Sequence, residues 1–156
     1  ARGDAVSPEA LAACFGEPLA TRVAGLGFGA VKGFLGGKLD LIFEHDGRFH
    51  LLDWKSNKLG TRWTDYSPAA MDREMAEGAS VYELQANLYA LSLHLMLRQR
   101  LGADVYEYDL HFGEVLYAFV RGMSPATGLA CGVWRHRPTL ATLEKLEATL
   151  SGADDV

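Results

Sequence analysis

Lys38–Asn57, KLDLIFEHDGRFHLLDWKSN, reads as two strands folded on a tight turn. Asp46-Gly47 stands between the two runs, and a type I′ turn, which needs positive φ at both central positions, favours that pair. With the turn there, His45 faces Arg48, Phe43 faces His50 and Asp40 faces Asp53. Side chains alternate along a strand, so Lys38, Asp40 and Ile42 share a face with Leu51, Asp53 and Lys55. Two carboxylates then lie opposite one another among apolar neighbours, with β-carbons roughly 4.5–5.5 Å apart. Like charges so placed repel unless one is protonated or a cation lies between them. A divalent metal ion is the simplest such cation, and Lys55 follows on the same face. The other reading is a solvated sheet face whose charges hold nothing. Leu39, Leu41 and Phe43 with His50, Leu52 and Trp54 make the opposite face, expected to pack on a helix. His45 flanks the turn and His50 points away from the aspartates, so neither is expected to be a ligand.

At 156 residues the chain is expected to form one domain, large enough to bury about two-thirds of its unfolded surface. No stretch reaches the roughly 18 apolar residues of a membrane span, and the opening ARGDAVSPEA has no signal-peptide core; no membrane partner is expected. Cys14 and Cys131 lack Cys-X-X-Cys spacing, which argues against zinc or dithiol chemistry and fits a reduced, cytoplasmic protein with buried thiols. A formal charge of −5 argues against tight autonomous binding of duplex DNA, while a carboxylate site for metal is compatible with it.

Around the hairpin, Ser7-Pro8-Glu9 opens a short helix over Glu9–Phe15 that stops near Gly16-Glu17-Pro18. The carboxylates of Glu9 and Glu17 read as solvated. Phe28–Leu35 reads as a first strand, with Gly36-Gly37 as a bend. Asn57–Ser67 is loop; its Lys58, Arg62, Trp63 and Tyr66 interleave cations with aromatics, suited to gripping a single nucleic-acid strand, or else simply anchoring a surface loop. Ser67-Pro68 starts a helix that runs to Glu77 and ends at Gly78. Ser80-Val81-Tyr82-Glu83 has the form of a capping box for the longest helix, with Val81, Leu84, Leu88, Leu91 and Leu95 as its buried stripe and His94 at its boundary. Gln85 and Tyr89 sit together beside that stripe, and Arg98 and Arg100 end the helix before Gly102. Val105–Phe112 reads as extended and Glu114–Arg121 as a strand buried on both faces. After a loop over Ser124–Gly132, Val133-Trp134-Arg135 reads as a short strand and Arg135, His136 and Arg137 as a basic cluster. Thr139 caps a last helix striped by Leu140, Leu143, Leu146 and Leu150 and ended by Gly152; the tail 153–156 is expected to be disordered.

Taken together, Gly33-Phe34-Leu35, Gly37-Lys38-Leu39-Asp40-Leu41, Leu51-Leu52-Asp53-Trp54-Lys55-Ser56-Asn57, Tyr82-Glu83-Leu84-Gln85, Tyr89, His111-Phe112-Gly113 and Arg121-Gly122 form a specific string. Over about residues 30–122 it resembles the nuclease domain of RecB, the helicase–nuclease subunit of bacterial RecBCD (exonuclease V), in the PD-(D/E)XK superfamily. The resemblance implies an α/β fold, a restriction-endonuclease-like mixed sheet containing the hairpin and flanked by helices. It implies Mg²⁺, with Ca²⁺ or Mn²⁺ as substitutes, held by Asp40, Asp53 and the backbone carbonyl of Trp54, whose side chain would be core. Lys55 would orient or help deprotonate the attacking water, and Gln85 and Tyr89 would face the site. The implied reaction is hydrolysis of DNA phosphodiesters in processing double-strand ends for recombinational repair. The implied partners are DNA, above all single strands, the RecC and RecD subunits, and the RecA recombinase.

The sequence departs from that pattern in one respect. RecB nuclease domains carry a further metal-ligating histidine on a helix well upstream of the first aspartate, and no histidine precedes Asp40 here. The chain therefore looks like an N-terminally truncated fragment of a larger subunit. An alternative function follows: a catalytically impaired module that docks RecA or other subunits. A phosphodiesterase for small nucleotides is a weaker reading, because no glycine-rich phosphate cradle is present.

Overall fold

The computed structural model describes residues 5–30, 37–128 and 130–152. Two short helices, α1 (Pro8–Ala12) and α2 (Leu19–Ala24), come first. The hairpin β1 (Leu41–His45) and β2 (Arg48–Lys55) follows, then a 3-10 turn over Trp63–Tyr66, helix α3 (Pro68–Glu77) and the long helix α4 (Tyr82–Leu101). A single helical turn, α5 (Tyr108–His111), leads into β3 (Phe112–Phe119), after which come β4 (Val133–His136) and α6 (Leu140–Ser151).

The hairpin has the predicted register: His45 pairs with Arg48 and Phe43 with His50, through a turn in which φ is 50° at Asp46 and 75° at Gly47. Both central residues are left-handed, as a type I′ turn requires. β2 then pairs in parallel with β3, and β3 antiparallel with β4, in a four-stranded mixed sheet ordered β1-β2-β3-β4. A hairpin cannot reach a parallel neighbour, so the chain leaves the sheet after β2 and returns through α3 and α4. This is an α/β sheet flanked by helices, compatible with the restriction-endonuclease-like architecture. β3 is buried almost throughout, as the apolar run from Val115 to Phe119 predicts. Helix starts follow the local chemistry: Ser7 and Ser67 accept the amides of Ala10 and Ala70 with Pro at the first helical position, and Thr139 accepts that of Thr142. Cys14 and Cys131 are buried free thiols. No helix among the described residues is long and apolar enough to cross a membrane.

Several expectations are corrected. The face of the hairpin that packs on a helix is the one carrying Leu51, Asp53 and Lys55, all buried; Leu41 is 43% and Trp54 51% exposed on the other side. The Trp54 side chain is therefore not core. Burial of the charged face is tolerated because Asp53 and Lys55 neutralise each other there, while α4 packs over it and brings Tyr82 and Gln85 to the Lys55 amine. Ser80 does not cap α4. The cap position is Val81, without a side-chain bond, and the Ser80 carbonyl is taken at 3.0 Å by Arg22, which also binds the carbonyls of Met75 and Gly78 at the end of α3.

Val105–Phe112 is not extended: His111 accepts the Glu107 amide through Nδ1 and closes the turn α5. His94 is buried rather than at a boundary, its Nδ1 lying 2.8 Å from the Tyr106 hydroxyl. Helix α2 goes beyond the sequence reading, in which Gly16-Glu17-Pro18 only ends the first helix; Pro18 stands at its cap position. Phe28–Ala30 form no strand. The rest of that predicted strand and the Gly36 bend lie outside the described residues, as does the tail 153–156.

Candidate active site

Alternation along β2 sends Asp53 and Lys55 toward α4. Each is only 7% exposed, and Lys55 Nζ lies 2.7 Å from Asp53 Oδ2. The same amine donates to Gln85 Oε1 at 2.8 Å, and Gln85 Nε2 donates to the Tyr89 hydroxyl at 3.2 Å. Gln85 and Tyr89 are one turn apart on α4, so the helix delivers both to the same place. Two acceptors thereby fix a side chain that is otherwise long and mobile.

Asp40 lies one step beyond the last ladder pair, Leu41 with Leu52, where the register brings it opposite Asp53. Its Oδ2 accepts the Trp54 amide at 2.9 Å. Burial raises the Tyr89 phenol above its ordinary range, and the charges of Asp53 and Asp40 raise it further. Both carboxylates thus act on the same hydroxyl. Asp40, Asp53, Lys55, Gln85 and Tyr89, chosen from the sequence, come together at one end of β2.

In a strand, one residue's N–H and C=O point to the same edge. The Lys55 carbonyl accepts the Val120 amide on the β3 side, so the Trp54 carbonyl faces the opposite edge beside Asp40. Asp40, Asp53 and that carbonyl are hard oxygen donors, a set suited to Mg²⁺, which retains several waters and takes one or two carboxylates. Among the described residues no three of His, Cys, Asp and Glu gather at one place. A cation here would rest on two carboxylates and a backbone oxygen.

The loop after β2 divides. Lys58 and Arg62 are exposed and Trp63 is 60% exposed, open to a ligand. Tyr66 is not: it is buried, accepts the Leu59 amide, donates to the Gly60 carbonyl, and packs where Gly122 leaves room. Its ring anchors the loop instead of stacking on a base. Arg121 donates to the Ser56 carbonyl at 2.8 Å, tying the end of β3 to the start of the same loop. The expected basic cluster also disperses. Arg135 pairs with Glu114 at 2.8 Å and Arg137 with Asp109 at 3.4 Å, while burial lowers His136 to about 4 and leaves it neutral.

Tyr82 and Tyr117 escaped sequence reasoning. Both rings lie against the Lys55 amine. The signal for Tyr117 was the parallel register that sets it beside Asp53, and no local pattern encodes that register.

No family model matches the chain. It is 40% identical over 136 residues to the RecBCD enzyme subunit RecB of Escherichia coli (strain K12), covering 87% of this chain and 11% of that one. RecB of Mycobacterium tuberculosis (strain ATCC 25618 / H37Rv) is 38% identical over 142 residues, covering 86% of this chain and 13% of that one. RecB of Haemophilus influenzae is 36% identical over 122 residues, with shares of 78% and 10%. The chain spans about a tenth of the length of these relatives. Across the residues it shares with them, the chain belongs to the RecB family.

Proposed function

We propose that this chain is a Mg²⁺-dependent deoxyribonuclease module acting on DNA ends, single strands above all, within a RecBCD-type assembly. The observation that carries the reading is the Lys55 amine, held by Asp53 and Gln85 beside a second carboxylate, Asp40. Asp40, Asp53 and the Trp54 carbonyl would hold the ion, for which Ca²⁺ or Mn²⁺ would substitute. Mg²⁺, when bound, polarises the phosphoryl oxygen and lowers the pKa of its water. Lys55 has three N–H donors and spends one on Asp53 and one on Gln85, which leaves one to orient the attacking water or steady charge on the phosphate. Gln85 and Tyr89 keep the amine from swinging away. Trp63 stacks on a base of the incoming strand while Lys58 and Arg62 meet its phosphates. Nothing in this set reads base edges, so cleavage is independent of sequence. RecC and RecD as partner subunits, contact with the RecA recombinase, and a role in recombinational repair follow from the RecB relationship and belong to the same proposal.

Cleavage of a single-stranded oligonucleotide with Mg²⁺ tests it. The wild type cleaves, and Asp40→Ala, Asp53→Ala and Lys55→Ala each lower kcat by about a hundredfold or more. Ca²⁺ titration gives saturable binding that both aspartate variants weaken. Cleavage indifferent to all three substitutions would sink the assignment. Retention of RecA by a wild-type chain that does not cleave would favour the docking alternative.

A further inference from the structure

Lys55 Nζ lies 4.5 Å from the ring centroid of Tyr82 and 4.2 Å from that of Tyr117, and the two rings meet edge to face at 6.0 Å. Neither ring is needed to form the Asp53 pair. Register sets Tyr117 beside Asp53 on the neighbouring strand, and Tyr82 begins the helix that carries Gln85. Tyr117 is fully buried, with its hydroxyl 3.0 Å from Gln85 Oε1 and 3.2 Å from the Tyr82 carbonyl. A phenol has one proton to give, so these two acceptors share it. Gln85 Oε1 then receives both Lys55 and Tyr117, which fixes the amide. Turned over, its NH₂ would meet the Lys55 ammonium, donor against donor. In the fixed sense Nε2 is left facing Tyr89.

An ammonium against aromatic faces is attracted by the ring quadrupoles, and more strongly where water is excluded. We infer that Tyr82 and Tyr117 are positioning residues for Lys55. The two rings hold the amine against Asp53, and the Tyr117 hydroxyl holds Gln85 in the amide orientation that Lys55 uses. The effect on rate rests on the hydrolytic reading above; the placement of the amine does not.

Two substitutions separate the parts. Tyr82→Leu removes a ring at a partly exposed position, and Tyr117→Phe keeps the buried ring and removes only the hydroxyl. In the single-strand assay each lowers kcat about five- to tenfold at unchanged KM. Tyr82→Phe restores the wild-type rate, and neither change lowers the residual rate of Lys55→Met further. Wild-type rates in both variants, with Lys55→Met reduced to its residual rate, overturn the positioning role and leave the nuclease reading intact. Should the wild-type chain not cleave at all, that reading fails by itself, and urea denaturation decides the placement. Tyr82→Leu and Lys55→Met combined then change the unfolding constant by about fivefold less than the product of their separate effects. Simple multiplication of the two effects overturns the inference.

Discussion

Substituting Gln for His136 separates one buried imidazole from every other titrating group. His136 stacks on Trp134 with ring centroids 5.3 Å apart and planes 6° from parallel, and its Nε2 lies 3.2 Å from Asn87 Oδ1. The Asn87 amide nitrogen is committed to the Glu83 carbonyl at 2.8 Å, so His136 is the donor in that contact. Burial lowers its pKa from the ordinary 6.5 to about 4. The sign follows. The unfolded chain takes up a proton near pH 6.5, the native protein not until near 4, so stability falls as pH drops between them. At about 1.36 kcal/mol per pKa unit, the loss is about 2 kcal/mol by pH 5 and about 3 kcal/mol below pH 4. Gln at this position forfeits the stack and weakens one hydrogen bond, about 1 kcal/mol at pH 7.5. The variant is then less stable than wild type at pH 7.5 by that amount and more stable by about as much at pH 5. The stability curves cross near pH 6. His50 and His94 are also lowered, chiefly by burial, and act equally in both proteins. Urea unfolding followed by tryptophan fluorescence at pH 7.5, 6 and 5 reads the difference directly. A gap independent of pH would mean that His136 titrates normally and that the reasoning is wrong.

Lys55→Met leaves Asp53 buried without its partner and lowers stability by about 2–4 kcal/mol, most of it recovered by adding Asp53→Asn; a double variant no more stable than Lys55→Met in urea would refute the ion pair. Gly122→Ala places a methyl 2.3 Å from Tyr66 Cβ. It costs about 1–3 kcal/mol and lowers Tm, and an unchanged Tm would show that Tyr66 is not seated there. Trp63→Ala, at an exposed position, leaves stability within about 0.5 kcal/mol while weakening binding of single-stranded DNA several-fold; unaltered binding by fluorescence anisotropy would remove Trp63 from the strand-binding surface.

The hairpin was legible because its determinants are local. Asp46-Gly47 sets the turn, the turn sets the register, and the register sets Asp40 against Asp53 on the face of Lys55. Gln85 and Tyr89 were legible for the same reason, since four residues along a helix is a fixed displacement. The side of the hairpin that would be covered was not. Leu39, Leu41 and Trp54 made the opposite face the more apolar, and only the path of α4 across the sheet decides that the charged face lies beneath it. Ser80 stands one residue before the cap position Val81, and its carbonyl is taken by Arg22, which is distant in sequence. Tyr66 carries the same side chain whether it anchors a loop or greets a base, and the space left at Gly122 chooses between them.

Because β2 runs parallel to β3, everything from Ser56 to His111 must be threaded before the two strands meet. The carboxylates and the lysine belong to an early, short-range ribbon; Gln85, Tyr89 and Tyr117 reach them only after that long loop closes. The Lys55–Asp53 pair therefore needs only β2, whereas the amine's bond to Gln85 and its contact with the Tyr117 ring exist only once that loop has closed.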